Sequence, residues 1–128
     1  MQGKRGLIMG VANERSIAWG IAKTMAEAGA ELAFTYQGEA FGKRLEPLAA
    51  SVGSDFMVDV DVTDDASLDT AFEELGKRWD NIDFVVHAIA YSDKNELTGR
   101  ILNTSRENFK NSMDISAYSL IEVTRRAH

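Results

Sequence analysis

The 128-residue chain has no cysteine, which excludes a disulfide framework, a thiolate metal site and a cysteine nucleophile, and fits a reducing compartment. It has one proline, Pro47, so no proline-rich linker divides it. It lacks the positive surplus that nucleic acid or an anionic membrane attracts: 14 Lys and Arg stand against 20 Asp and Glu, a net charge of −6. Nor does any apolar run approach the ~20 residues that span a bilayer. Leu7, Ile8 and Met9 follow Lys4 and Arg5 as in a secretory leader, but Gly10 and the Glu14, Arg15 pair end the run too early. The expectation is a soluble cytoplasmic protein with neither nucleic-acid nor membrane partners. What is present, 45% hydrophobic and 27% charged residues, is the balance of one globular domain. At this length folding buries roughly two-thirds of the surface of the unfolded chain, enough for a core without a covalent staple.

Short β-rich apolar runs alternate with helical periods. Residues 7–9 read as a strand ending at Gly10. From Ser16, apolar positions Ile17, Ile21, Met25 and Ala28 recur at helical spacing, with Gly29 where a left-handed cap belongs. Residues 31–36 read as a second strand, followed by a helix on Phe41, Leu45, Leu48 and Val52 that closes at Gly53 and carries the potential kink of Pro47. A third strand is expected over 56–62. Thr63, Asp64 and Asp65 then offer cap oxygens to a helix with Leu68, Phe72, Leu75 and Trp79 on one face. A fourth strand is expected over 84–89, then a polar loop over 91–103. Thr104 and Glu107 form a capping-box pattern ahead of a last helix with Phe109, Met113, Leu120 and Val123 on its apolar face. This βαβαβαβα order with short connections predicts an α/β fold: a Rossmann-like, doubly wound parallel sheet of four βα units.

In such a sheet, ligands sit beyond the carboxyl ends of the strands. The first of these ends carries Gly10-x5-Ser16-x3-Gly20. A turn of this kind can bring bare amides and a helix N-terminus to a diphosphate, with the Ser16 hydroxyl as a further donor and Gly20 permitting close packing of helix on strand. It also fits an ordinary βα turn with a capping serine, because it is not the G-x-G-x-x-G pattern. The other strand ends carry Tyr36 and Gln37, then Asp61 and Val62, then Ala88, Ile89 and Ala90.

Taken together, these strings resemble those of the enoyl-acyl-carrier-protein reductases, a divergent branch of the short-chain dehydrogenase/reductase family. The matching strings are Gly10-Val11-Ala12 through Ser16-Ile17-Ala18-Trp19-Gly20, the run from Gly29 to Gln37, Asp61-Val62, His87-Ala88-Ile89-Ala90, and Asp114-Ile115-Ser116-Ala117-Tyr118-Ser119. The resemblance implies that Gly10, Ser16 and Ile17 hold the diphosphate and ribose region of NAD. It implies Gln37 beside the adenosine ribose, Asp61 and Val62 around the adenine, and Ile89 along the nicotinamide half. For Asp61, a turn carboxylate is the competing reading. Gln37 stands where many dinucleotide folds have a ribose-binding acid; the family suggests NADH, while Lys43 and Arg44 leave NADPH open.

The resemblance further implies a trans-2-enoyl thioester on acyl carrier protein as substrate, hydride transfer to its β carbon in fatty acid synthesis, and a homotetrameric parent protein. Ser92 lies at the expected substrate edge after Tyr91, where the family commonly has Ala, and Ala90 replaces a common Gly. Ser116 stands about where the broader family keeps an Asn that assists its proton relay, and His87 reads as a core histidine. The family's catalytic Tyr, with six residues between it and a Lys further along, is expected beyond position 128, so residues 1–128 read as the amino-terminal, NAD-binding part of one domain. The rest of the sheet is then absent, leaving residues 84–86 on an uncovered edge prone to self-association. Tyr36 and Lys43 have the Tyr-Lys spacing but belong to the adenine side, so no residue here is assigned as catalytic and none as a metal ligand.

Two other functions fit parts of the sequence. Asp59-Val60-Asp61-Val62-Thr63 matches the DxDxT string of magnesium-dependent phosphohydrolases, which use two acids and a hydroxyl at a strand end. A non-catalytic NAD-binding module needs none of the residues expected after position 128.

Overall fold

Leu7 and Met9 pack to one side of the first strand and Ile8 to the other, so a single run of apolar residues feeds two separate cores. That strand, β1, spans Arg5–Met9 in a computed structural model that describes residues 1–128. It is followed by α1 (Ile17–Glu27), β2 (Glu31–Tyr36), α2 (Glu39–Ser51), β3 (Met57–Asp59), α3 (Asp65–Arg78) and β4 (Phe84–His87). Two 3-10 turns, Lys94–Glu96 and Ile101–Asn103, lead to α4 (Arg106–Met113), a π segment (Asp114–Tyr118) and α5 (Ser119–Ala127).

All strand pairs are parallel, in the order β3-β2-β1-β4. This is the expected doubly wound α/β sheet. On one face Ile8, Leu32 and Phe34 meet Ala18, Trp19 and Ala22 of α1 and Leu45 and Ala49 of α2. Phe34 is fully buried, with its ring 6.5 Å from that of Trp19, and burial of such a side chain stabilises the fold by roughly 1.5–3 kcal/mol. On the other face Leu7, Met9 and Ala33 meet Leu68, Ala71 and Leu75 of α3 and Val123 of α5. No helix is long and apolar enough to cross a membrane.

Several local expectations are corrected. β3 is three residues long, so Val60, Asp61 and Val62 leave the sheet as a loop, although the Val60 amide still donates to the Tyr36 carbonyl at 2.7 Å. β4 likewise ends at His87, and Ile89 lies past it. The buried side of α1 is Ala18, Trp19 and Ala22, while Ile17 is 81% exposed. The capping pattern shifts by one residue: Ser105, not Thr104, caps α4, its Oγ accepting from the Asn108 amide. Glu96 decides the matter by accepting from both the amide and the hydroxyl of Ser105, at 2.6 and 2.7 Å.

The last helix is also different from its pattern. Phe109, Met113 and Leu120 are exposed, and the residues buried there are Asn108, Ser119, Glu122 and Val123. Arg126 holds this end down: its guanidinium binds Glu122 and Asp69, bridging α5 to α3 and keeping the Glu122 carboxyl below the usual carboxylate range.

Gly20 does not have the packing role expected of it, because a Cβ there would meet no atom within 4 Å. Gly20→Ala is therefore expected to stabilise the chain by about 0.5–1 kcal/mol, the helix-propensity gain. A rise in thermal midpoint checks this; a fall would mean that α1 sits closer to the sheet than described.

Candidate functional site

The sheet order reverses between β1 and β4, since β2 and β3 extend to one side of β1 and β4 lies on the other. At such a switch point the two flanking loops run in opposite directions and open a crevice. The crevice is a cleft of about 200 Å³. Its walls are Gly10, Val11 and Ala12 after β1, Ala88, Ile89 and Ala90 after β4, and Tyr36, Gln37, Val60 and Val62 from the ends of β2 and β3. Thr35 and Phe41 complete it.

Gly10 is the residue on which the cleft closes. It has φ +103°, and a Cβ there would lie 2.0 Å from the Ala88 carbonyl oxygen. Ala88 in turn donates its amide to the Met9 carbonyl at 3.0 Å. The two loops thus approach to a distance that only glycine allows.

Ser16 works differently from a helix cap. Its Oγ accepts from the amides of Ala12 and Asn13, at 2.9 and 3.1 Å, which lie before the helix and not inside it. Both hydroxyl lone pairs are thereby occupied, and its hydrogen stays free to donate. The amides of Trp19 and Gly20 both reach back to the Ser16 carbonyl, so those of Ile17 and Ala18 precede the first intrahelical bond; Ala18 is buried, and the open one belongs to the exposed Ile17. A donor hydroxyl, an open amide and the positive end of a helix dipole together suit an anion.

Of the residues singled out from the sequence, Gly10, Gln37, Val62 and Ile89 line one cleft. Ser16 and Ile17 stand at its rim through the Ala12 amide and the start of α1. Asp61 does not line it. One carboxylate oxygen, Oδ1, accepts from the Thr63 amide and hydroxyl at 2.9 and 2.6 Å, so the turn reading holds for that oxygen. Ser92 lies away from the cleft, where its Oγ accepts from Asn108 Nδ2 at 3.0 Å. Sequence reasoning misses Thr35, Phe41 and Val60 as walls; Phe41 reads only as part of the apolar repeat of α2, and its position in the first turn of a helix that begins at a strand end is the available signal.

The acids of the DxDxT string do not converge. Asp59 Oδ1 accepts from the Gly38 amide at 3.1 Å while Asp61 folds onto Thr63, and no group of three or more His, Asp or Glu side chains gathers as a metal set. Lys43 is engaged by Glu39 at 2.8 Å, and the Arg44 guanidinium lies 5.7 Å from the centre of the Phe41 ring.

Comparison with known proteins gives the family. A family model described as enoyl-(acyl carrier protein) reductase matches residues 10–128. A Rhizobium meliloti protein, enoyl-[acyl-carrier-protein] reductase [NADH] 1, is 62% identical over 127 residues, covering 99% of this chain and 47% of its own length. An Aquifex aeolicus reductase of the same name, FabI, is 50% identical, with 98% and 46% covered. Among solved structures, FabI from Candidatus Liberibacter asiaticus superposes with a TM-score of 0.97 at 60% identity, covering 98% of this chain and 49% of that one. The Anaplasma phagocytophilum reductase, solved in complex with NAD, gives 0.95 at 52% identity, with 99% and 49% covered. The chain spans about half the length of the curated relatives it matches. On the strength of a family match that runs from Gly10 to the last residue, the chain belongs to the enoyl-(acyl carrier protein) reductase family.

Proposed function

We propose that residues 1–128 form the NADH-binding, amino-terminal part of a Rossmann-type domain in an enoyl-acyl-carrier-protein reductase of fatty acid synthesis. The observation that carries this is the crevice at the sheet reversal, where Gly10 touches the Ala88 carbonyl beside an open helix N-terminus. The fit to a dinucleotide is chemical: free donors where a diphosphate needs them, and an apolar lining of Val11, Val62 and Ile89 for its flat rings. The cytoplasm remains the expected compartment.

Ser16 and the amide of Ile17 hold the diphosphate. Gln37 faces the adenosine ribose, Val62 and Phe41 sandwich the adenine, and Asp61, beside the cleft, has one oxygen left for the exocyclic amine. Residues 88–90 keep water from the nicotinamide side, and Ser92 marks the way to the substrate. NADH, when bound, supplies the hydride that reduces a trans-2-enoyl thioester at its β carbon. The substrate is carried by acyl carrier protein, and the parent protein is a homo-oligomer, a tetramer on family grounds. The acid that stabilises the developing enolate oxygen is a Tyr outside this chain, with a Lys beside it. A non-catalytic NAD-binding module is the second reading, favoured by a cleft whose ligating groups are all present without those two residues.

The test combines calorimetric titration of NADH with an assay of crotonyl-thioester reduction on the same sample. Binding without turnover is expected of the 128 residues, and binding with turnover of a protein that continues through the Tyr and Lys. Turnover by the 128 residues alone contradicts the assignment of the catalytic acid; binding without turnover in the longer protein would favour the non-catalytic module.

A further inference from the structure

Two hydrogen-bonded ties join the end of β4 to the π segment, and the cleft wall of residues 88–90 runs between them. In one, Ser116 Oγ accepts from the Tyr91 amide at 3.0 Å and lies 3.3 Å from the Tyr91 carbonyl. In the other, His87 Nε2 lies 2.7 Å from Ser119 Oγ, which donates to the Ile115 carbonyl at 2.6 Å. A carbonyl only accepts, so the single hydroxyl hydrogen of Ser119 is committed to Ile115. Ser119 therefore offers His87 a lone pair, and the hydrogen between them belongs to Nε2. Nε2 is thus the ring nitrogen that donates to Ser119. Burial pushes the imidazole pKa below its ordinary value, against a hydrogen bond to the His87 backbone that raises it.

The π segment explains why Ser119 is needed. The Ser119 amide reaches back five residues to the Asp114 carbonyl instead of four to Ile115. That shift deprives the Ile115 carbonyl of its usual helical donor, and the hydroxyl of the same residue replaces it. Ser119 is 1% exposed, so no bulk water can do so. His87 in turn fixes the direction of the Ser119 hydroxyl. Ser116 sits inside the widened turn and Tyr91 is tied to Ser116.

We propose that His87, acting through Ser119, is a positioning residue for the nicotinamide half of the cleft: it holds the π segment in register so that Ser116 keeps Tyr91, and the wall of residues 88–90, in place. This rests on the NADH reading of the site. The role separates the two ends of the dinucleotide, because the tie bears on the β4 wall and not on the adenosine side formed by Gln37 and Val62.

The test titrates NADH and ADP, which lacks the nicotinamide, against the full chain and its variants. His87→Leu should raise the Kd for NADH about tenfold, the worth of one lost buried hydrogen bond, and that for ADP less than twofold. His87→Gln presents an N–H near the Nε2 position and should recover most of the NADH loss. Ser119→Ala, a smaller change, should give the same split and keeps the test open if His87→Leu does not fold. Ring nitrogen shifts in the wild type should show a protonated Nε2. A wild-type chain that binds neither ligand overturns the NADH reading itself. Where both bind, an unchanged NADH-to-ADP ratio in both variants, equal weakening of the two ligands, or no recovery in His87→Gln overturns the positioning role alone.

Discussion

Gly10→Ala should abolish NADH binding and leave the chain barely stable. The new Cβ meets the Ala88 carbonyl at 2.0 Å, and that oxygen belongs to backbone anchored through the Ala88 amide on Met9, so it cannot swing aside as a side-chain tip would. The left-handed φ of +103° adds strain for any residue with a Cβ. Strain and displacement together cost about 3 kcal/mol or more, a large share of the stability of a domain this size. Because the loops that must separate are the two walls of the crevice, the Kd for NADH should rise at least about 100-fold even where the protein still folds. Circular dichroism and calorimetry on the same sample separate the two effects. A variant that folds and binds NADH within about threefold of wild type would mean the cofactor does not approach the β1 loop.

Ser16→Ala should weaken NADH binding about 10- to 100-fold while costing only about 1–2 kcal/mol in stability. Two losses combine. The loop amides of Ala12 and Asn13 lose their shared acceptor, so the turn that follows Gly10 is no longer fastened to α1. The free hydroxyl hydrogen, a donor aimed at an anionic oxygen, is lost as well. Ser16→Thr retains both functions and should stay within about threefold of wild type. Should Ser16→Ala reduce stability and leave the NADH affinity intact, Ser16 fastens the loop only and the diphosphate lies elsewhere.

These two residues also show how the site was legible in the sequence. Gly10 is readable because its place at the end of an apolar run and ahead of a helical period is local information. So is the strand order up to β4, since alternating β and helical periods leave few ways to wind a parallel sheet. Ser16 was readable as a residue at a helix start, but not in its role: an N-terminal hydroxyl can turn into the helix or back to the loop before it, and only the path of residues 11–13 decides. The sequence puts Asp61 on a strand that in fact ends two residues earlier, and the Thr63 hydroxyl that captures one of its oxygens is equally compatible with either reading.

The last helix was the least legible element. Phe109, Met113 and Leu120 repeat at helical spacing, which signals an apolar face but not what covers it, and here they are exposed. The π turn between α4 and α5 left no mark in the periodicity, because one extra residue in a turn merely rotates the pattern that follows. Likewise, the choice of Ser105 over Thr104 as cap was made by Glu96, a partner nine residues upstream in an irregular loop. His87 reads as a satisfied core residue; its ring is satisfied by Ser119 but only half-buried, and the link onward to Ile115 depends on the π geometry.

The central claim is that one dinucleotide lies across the strand ends, with its diphosphate at the start of α1. Amide chemical-shift mapping of the 15N-labelled chain during an NADH titration tests it most directly. The account predicts saturable shifts at Ala12, Ile17 and Ala18, at Gln37 and Val62, and at Ile89, all following one isotherm. Shifts confined to the acidic groove around Asp93, Glu96, Glu107 and Asp114, or no shifts from a folded chain, would contradict it.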